Sequence, residues 1–150
     1  MNDAVVLYVF YRKDAYFINT LKDYTNFTFI DIPIDYALRF QKEGLTSYFS
    51  KYADKDMYII SDDVSSGFVL SYLGEHEISC LKQAFLYFKS GFTGKLEKSA
   101  AIASHNYELY INNDYSQFKK DILYMIGKEG LKRKQKTYRR RVCTDVVGVI

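Results

Sequence analysis

The strongest constraint on the fold of this chain is a continuous apolar run at residues 4–11, with the sequence AVVLYVFY. An amphipathic strand or helix would interrupt such a run with polar residues every two or every three to four positions. A strand that is buried on both faces needs no such interruption, and strands of this kind belong to parallel sheets covered by helices on both sides. The run therefore predicts an α/β protein.

Strand-like and helix-like segments alternate along the rest of the chain. Because consecutive parallel strands are joined by crossovers that are usually helices, we expect a three-layer α/β sandwich around a mostly parallel sheet of four to five strands, flavodoxin-like or Rossmann-like. Pro33, the only proline, cannot donate a hydrogen bond to a neighbouring strand and therefore indicates a strand end or an edge strand. Strands are predicted at residues 4–11, 27–34, 57–60 and within 100–112, helices at 14–24, 35–52, 68–89 and 114–127, and a loop at 90–98.

Length and composition point to one cytoplasmic domain. A chain of 150 residues is long enough for one substantial core and too short for two ordinary ones. No apolar run approaches the roughly 18 residues that would span a bilayer, and the amino terminus has no secretion signal, so no membrane contact is expected. The two cysteines, Cys80 and Cys143, are too far apart in sequence to predict a disulfide framework or a metal site.

Charge divides the chain into an acidic body and a basic tail. Residues 1–127 carry a net charge of −3 and residues 128–141 a net charge of +7. We therefore predict a single α/β domain at 1–127 and a basic extension at 128–150. Such a tail can neutralise the phosphates of DNA or RNA, although it can also be a solubilising helix end or dock on a protein partner or a second copy. The candidate nucleic-acid-binding residues are Lys132, Arg133, Lys134, Lys136, Arg139, Arg140 and Arg141.

An acidic, hydroxyl-rich loop, residues 61–67 (SDDVSSG), follows the third predicted strand. Ligands of α/β sheets bind at the carboxyl ends of the strands, so this loop is the first candidate binding site. Its two aspartates can hold a divalent cation, but we interpret them as the rim of a pocket or the cap of the next helix, and we predict no resident metal or cofactor. The candidate ligand-binding residues are Tyr11, Arg12, Ser61, Asp62, Asp63, Ser65 and Ser66.

The first strand, which ends in Tyr-Arg-Lys-Asp at residues 11–14, and the third strand, which ends in Ser61, resemble the Toll/interleukin-1 receptor (TIR) family over about residues 4–85. The resemblance implies a signalling or defence domain that assembles as a homo-oligomer. Enzymatic members of that family hydrolyse NAD through a glutamate at the start of the helix after the third strand. Glu75 and Glu77 are the acids at about that place, which makes them the candidate catalytic residues, with NAD as a substrate.

Other chemical patterns are weaker. His76 and His105 each have the residue type of a general base, but a single histidine beside a helix or strand is more often a structural or surface residue, and we interpret both in that way. The sequence contains no glycine-rich phosphate-binding or dinucleotide-binding motif. The alternative to a TIR-like function is a non-catalytic module that binds nucleic acid and protein partners through residues 128–141.

Overall fold

The computed structural model describes residues 4–34, 42–89 and 94–135. In this part of the chain five strands alternate with five α-helices, and one short 3-10 helix precedes the second of them. The strands are β1 (Val5–Phe10), β2 (Thr28–Pro33), β3 (Met57–Ser61), β4 (Leu81–Tyr87) and β5 (Glu108–Asn112). The helices are α1 (Ala15–Tyr24), the 3-10 turn Lys42–Gly44, α2 (Leu45–Lys51), α3 (Asp63–Leu73), α4 (Gly94–Ala103) and α5 (Tyr115–Gln135).

The five strands form one parallel sheet in the order β2-β1-β3-β4-β5. The predicted parallel α/β sheet is therefore confirmed. The strand order reverses at β1, because β2 lies on one side of it while β3, β4 and β5 follow on the other. In sheets with this order, the loops that leave β1 and β3 move apart to opposite faces and open a crevice at the carboxyl edge of the sheet.

Each face of the sheet packs against its own set of helices, which makes the molecule a three-layer, Rossmann-like sandwich. Alternate residues of β1 point to opposite faces, so Val5, Leu7 and Val9 join one core, while Val6 and Tyr8 join the other. The first core contains the buried side chains of α2 and α3, and the second contains those of α1 and α5. Because β1 is buried on both faces, the uninterrupted apolar run is explained.

The prediction of a long helix at residues 68–89 is wrong. Helix α3 begins earlier, at Asp63, and ends at Leu73, and β4 occupies Leu81–Tyr87. Within β4, Leu81, Ala84 and Phe85 are buried at a spacing that suits a helix face as well as a strand covered on both sides. The segment forms a strand because its backbone pairs with β3 on one side and with β5 on the other.

Two further boundaries differ from the sequence interpretation. Residues 94–98 of the predicted loop belong to α4, residues 90–93 lie outside the described residues, and only the last part of residues 100–112 forms a strand. Pro33 ends β2, which is an edge strand of the described sheet, as predicted. The predicted helix at 35–52 is confirmed over Leu45–Lys51, whereas residues 35–41 and 136–150 lie outside the described residues.

Candidate functional site

A pocket of about 620 Å³ opens at the carboxyl edge of the sheet, where the loops after β1, β3 and β4 meet. This is the crevice that the strand order creates, so the chain topology and the surface shape point to the same place. Four of the candidate ligand-binding residues line it, namely Tyr11, Arg12, Asp62 and Asp63. We call this cavity the carboxyl-edge pocket.

Asp62 connects the two strands on either side of the switch point. Its Oδ2 accepts hydrogen bonds from the backbone N–H groups of Tyr11, at 2.7 Å, and Arg12, at 3.1 Å. Its Oδ1 accepts from the backbone N–H of Ser65 at 3.2 Å and from the Ser65 hydroxyl, which makes Asp62 the N-cap of α3. Both carboxylate oxygens are therefore engaged by protein donors, and the helix-cap interpretation of this residue is confirmed.

The other two acids of the pocket are also held by the protein. Asp14 caps α1 by accepting from the backbone N–H of Phe17 at 3.1 Å, and it accepts from the Tyr115 hydroxyl at 2.6 Å. Asp63 accepts from the backbone N–H of Lys89, just after β4. These contacts join the loops after β1 and β3 to α5 and to the end of β4, so the carboxylates form the frame of the pocket.

The three candidate serines lie behind the pocket wall. Ser61, Ser65 and Ser66 are each fully buried. The single hydroxyl proton of Ser65 lies between Asp62 Oδ1 and the carbonyl oxygen of Val9, which is 2.8 Å from the Ser65 oxygen, and the Ser66 hydroxyl donates to the carbonyl of Ser61 at 3.1 Å. These hydroxyls fasten the start of α3 to β1 and β3, and the structure does not place them on the surface that a ligand would touch.

The pocket lining carries three cationic side chains, Arg12, Lys13 and Lys89, which equal the three carboxylates in number. Lys13 forms an ion pair with Asp31 at 2.6 Å. Arg12 and Lys89 also line the pocket, and among the described residues neither side chain has an ion-pair partner. Since the nearby carboxylates accept bonds from the protein itself, Arg12 and Lys89 are the side chains most able to receive an anionic ligand.

Three tyrosines line the same pocket, and two of them, Tyr87 and Tyr115, pack against each other. The rings of Tyr87 and Tyr115 lie with their centroids 5.0 Å apart, and Tyr115 also carries the Lys119 ammonium over its ring at 4.6 Å. Burial raises the pKa of Tyr115, and the hydrogen bond that it donates to Asp14 raises it further. The phenol is therefore neutral and acts as a fixed donor to Asp14.

Glu75 and Glu77 lie at the opposite edge of the sheet. Helix α3 starts at the carboxyl edge and returns along the sheet to Gly74, so these residues belong to the turn that leads into β4. In the same turn, the backbone N–H of Ile78 donates to the hydroxyl of Tyr107 at 2.6 Å. Tyr107 directly precedes β5. The structure therefore does not bring the two candidate catalytic glutamates to the carboxyl-edge pocket.

Possible metal ligands also meet at this amino-terminal edge. Among the described residues, one group of acidic and histidine side chains has ligand atoms that all lie within 4.8 Å of one another, and it consists of Glu43, Glu75 and His76. The aspartates of the carboxyl-edge pocket do not form such a group. A second cavity, of about 710 Å³, lies at the amino-terminal edge beneath α5 and includes His105 in its lining.

The structure adds residues that the sequence interpretation missed. Lys89, Tyr87 and Tyr115 line the carboxyl-edge pocket, but the prediction of a helix through residues 68–89 concealed that a strand ends at Tyr87. Recognition of that strand end would have identified Lys89 in the same way as Arg12. Of the basic tail, Lys132, Arg133 and Lys134 fall within the backbone of α5, while Lys136, Arg139, Arg140 and Arg141 lie outside the described residues.

Comparisons of the chain with protein-family models, with curated proteins and with solved structures found no match. Within residues 4–34, 42–89 and 94–135, none of the helices combines the length and the apolar character needed to cross a lipid bilayer.

Proposed function

We propose that this protein is a TIR-like signalling or defence domain whose carboxyl-edge pocket binds a phosphate-bearing nucleotide of the NAD class. The observation that carries the proposal is the meeting of Arg12 and Lys89 at the switch point of the sheet, beside carboxylates that the protein itself holds. Ligands of open α/β sheets bind at this position, and a volume of about 620 Å³ lies within the range of about 300–1,000 Å³ for small-molecule pockets.

The pocket supplies two kinds of contact that a nucleotide requires. The guanidinium of Arg12 can bind two phosphate oxygens at once, and the ammonium of Lys89 acts as a second point charge. The rings of Tyr87 and Tyr115 offer aromatic surface to a base or a nicotinamide ring. The backbone N–H groups of Tyr11 and Arg12 already donate to Asp62 and are not available to a phosphate. Phosphate would therefore be bound by the side chains of Arg12 and Lys89.

Binding and cleavage of NAD are separate parts of this proposal. Cleavage by Glu75 or Glu77 would require NAD to reach the amino-terminal edge of the sheet, whereas the carboxyl-edge pocket lies at the other edge. The geometry therefore favours binding at the carboxyl-edge pocket over hydrolysis by these two glutamates. Release of nicotinamide from NAD should be compared for the natural chain and for Glu75→Gln and Glu77→Gln. A rate lost in either variant would favour the enzymatic form of the proposal.

Equilibrium binding to the full chain tests the pocket. We expect NAD and AMP to bind more tightly than adenosine, and we expect Arg12→Gln and Lys89→Gln each to weaken NAD binding by about tenfold, because a charge-assisted hydrogen bond contributes roughly 1.5 kcal/mol or more. Lys98→Gln is the matched control, since Lys98 is an exposed lysine on α4 that does not line the pocket. Equal affinity for NAD in all three variants would refute the assignment.

A second candidate function is nucleic-acid binding by the tail. Helix α5 continues without a break to Gln135, so the backbone of Lys132, Arg133 and Lys134 belongs to the same helix as the buried residues Phe118, Ile122 and Ile126. A duplex DNA probe should bind the full chain with a strong dependence on salt. Replacing the three residues by glutamine should reduce the slope of log K against log salt by up to about 2.7, and an unchanged slope would exclude these contacts.

A further inference from the structure

Three potential metal ligands come together from two separate segments at the amino-terminal edge of the sheet. Glu43 lies in the 3-10 turn before α2, while Glu75 and His76 follow α3, and their ligand atoms all lie within 4.8 Å of one another. Neither segment contributes to the carboxyl-edge pocket. The group is therefore independent of the proposed nucleotide site.

The imidazole of His76 is held in the orientation that a metal ligand needs. Its Nδ1 lies 2.9 Å from the backbone carbonyl oxygen of Tyr72, and its ring stacks on the Tyr72 ring with centroids 3.9 Å apart. A carbonyl oxygen can only accept, so Nδ1 carries a proton. Metal-binding histidines almost always donate the second ring N–H to a carbonyl or carboxylate, which fixes the tautomer and directs the other nitrogen at the metal.

The remaining nitrogen of His76 points at a carboxylate. Its Nε2 lies 2.8 Å from Oε2 of Glu43, so the ring nitrogen that does not face the Tyr72 carbonyl is directed at a carboxylate oxygen. Zinc bonds of about 2.0–2.2 Å at a tetrahedral angle place two ligand atoms about 3.4 Å apart. Opening the present contact by about 0.6 Å is a small rotation for Glu43, whose side chain is 61% exposed.

The chemistry of the three ligands selects the type of cation. Mg²⁺ and Ca²⁺ prefer sites made of oxygen atoms, whereas an imidazole beside carboxylates suits Zn²⁺ and its neighbours in the first transition row. Three protein ligands leave a coordination position for water or for a substrate atom, as in zinc sites that are open to solvent. Two carboxylates also balance the charge of a divalent ion.

From this arrangement we infer that Glu43, Glu75 and His76 form a binding site for a divalent transition-metal cation of the zinc type. The ion joins the segment before α2 to the turn after α3, two parts of the chain that are 32 residues apart between Glu43 and Glu75. Glu75 is thus assigned to a metal site, which is a role different from the NAD hydrolysis that the TIR resemblance implies for it.

Titration of the full chain with Zn²⁺ by calorimetry, and with Co²⁺ by visible absorption, tests the site. One Zn²⁺ should bind per chain, and Mg²⁺ should not displace it. Glu43→Gln, Glu75→Gln and His76→Gln should each weaken Zn²⁺ binding by about tenfold or more, since even residues that only support a metal ligand change affinity by about 10–100-fold. Circular dichroism of each variant verifies that it remains folded.

Two neighbouring residues provide matched controls. Glu77 is an exposed glutamate of the same turn that lies outside the group, and His105 is the only other histidine of the sequence. Glu77→Gln and His105→Gln should leave Zn²⁺ affinity within about twofold. The inference is overturned if the natural chain shows no saturable Zn²⁺ binding, which would leave a simple His76–Glu43 ion pair, or if binding is lost in His105→Gln or in Cys80→Ser instead. Neither outcome affects the NAD-binding experiment.

Discussion

Replacement of Asp62 by asparagine tests whether this carboxylate fastens β1 to β3. Asparagine keeps one acceptor oxygen and replaces the other by an NH₂ group, which cannot accept a hydrogen bond. Asp62 accepts from the backbone N–H groups of Tyr11 and Arg12 through one oxygen and from Ser65 through the other. Whichever way the amide turns, one pair of donors loses its acceptor and faces an NH₂ group.

The expected loss of stability follows from these contacts. Asparagine is as good an N-cap as aspartate, so its oxygen can keep the bond to the Ser65 backbone, and the loss then falls on Tyr11 and Arg12. Hydrogen bonds to a charged acceptor contribute about 1.5–3 kcal/mol each. Because Asp62 is partly exposed, the low end of that range applies, and the free energy of unfolding should fall by about 2–3 kcal/mol.

Asp114→Asn is the matched control. Asp114 caps α5 by accepting from the backbone N–H of Gln117 at 3.2 Å, but no hydrogen bond from a neighbouring strand loop to Asp114 is present among the described residues. Both substitutions remove a charge from a helix N-terminus, which costs about 0.3–1 kcal/mol in each protein and cancels in the comparison. Urea unfolding followed by circular dichroism measures both. If Asp62→Asn and Asp114→Asn lose equal stability, the carboxylate does not fasten the two strands.

Three further predictions concern packing, pH and metal binding. Gly74→Ala should lower the free energy of unfolding by about 1–3 kcal/mol, because the added Cβ would lie 3.1 Å from Cα of Ser99, whereas Gly127→Ala should raise it by about 0.5–1 kcal/mol, because its Cβ meets Tyr24 at an ordinary 3.9 Å inside a helix. Urea unfolding of both variants measures these changes. An equal loss of unfolding free energy in Gly127→Ala and Gly74→Ala would contradict the packing argument. Burial raises the pKa of Tyr8 to about 12 from 10, so stability should be complete below pH 10 and fall as pH rises toward 12. In Tyr8→Phe that fall should be shallower by about 1.4 kcal/mol per pH unit, and an unchanged slope would contradict the assignment. Zn²⁺ at about 100 times its dissociation constant should stabilise the folded chain by about 2.7 kcal/mol in thermal unfolding, a gain that His76→Gln should remove.

The sequence predicts whether a segment is a strand or a helix wherever the pattern of its apolar residues fits only one of the two. The run in β1 has apolar residues on both faces, and only a strand inside a covered sheet accommodates that pattern. The segment at Leu81–Tyr87 was ambiguous, because its apolar spacing fits a helix and a buried strand equally well. Hydrogen bonds to two neighbouring strands removed the ambiguity, and these partners are distant in sequence.

Part of the candidate site can also be predicted from the sequence. Arg12 and Asp62 directly follow strands, and strand ends of a parallel sheet meet at one edge, so their proximity follows from the topology. The burial of Ser65 and the position of Lys89 in the pocket lining do not follow from local sequence. They depend on which face of α3 meets the sheet and on where β4 ends.

The sequence by itself determined that this chain folds into a layered α/β domain and that polar residues gather where its strands end, because buried apolar runs and their spacing have few other solutions. The tertiary structure alone decided which of those residues face a ligand. In the folded protein, Asp62 and the three serines form hydrogen bonds with the protein itself. Arg12 and Lys89 line the pocket. Glu75 lies at the opposite edge of the sheet, beside Glu43 and His76. Such assignments depend on hydrogen bonds between segments far apart in the chain, which local patterns do not record.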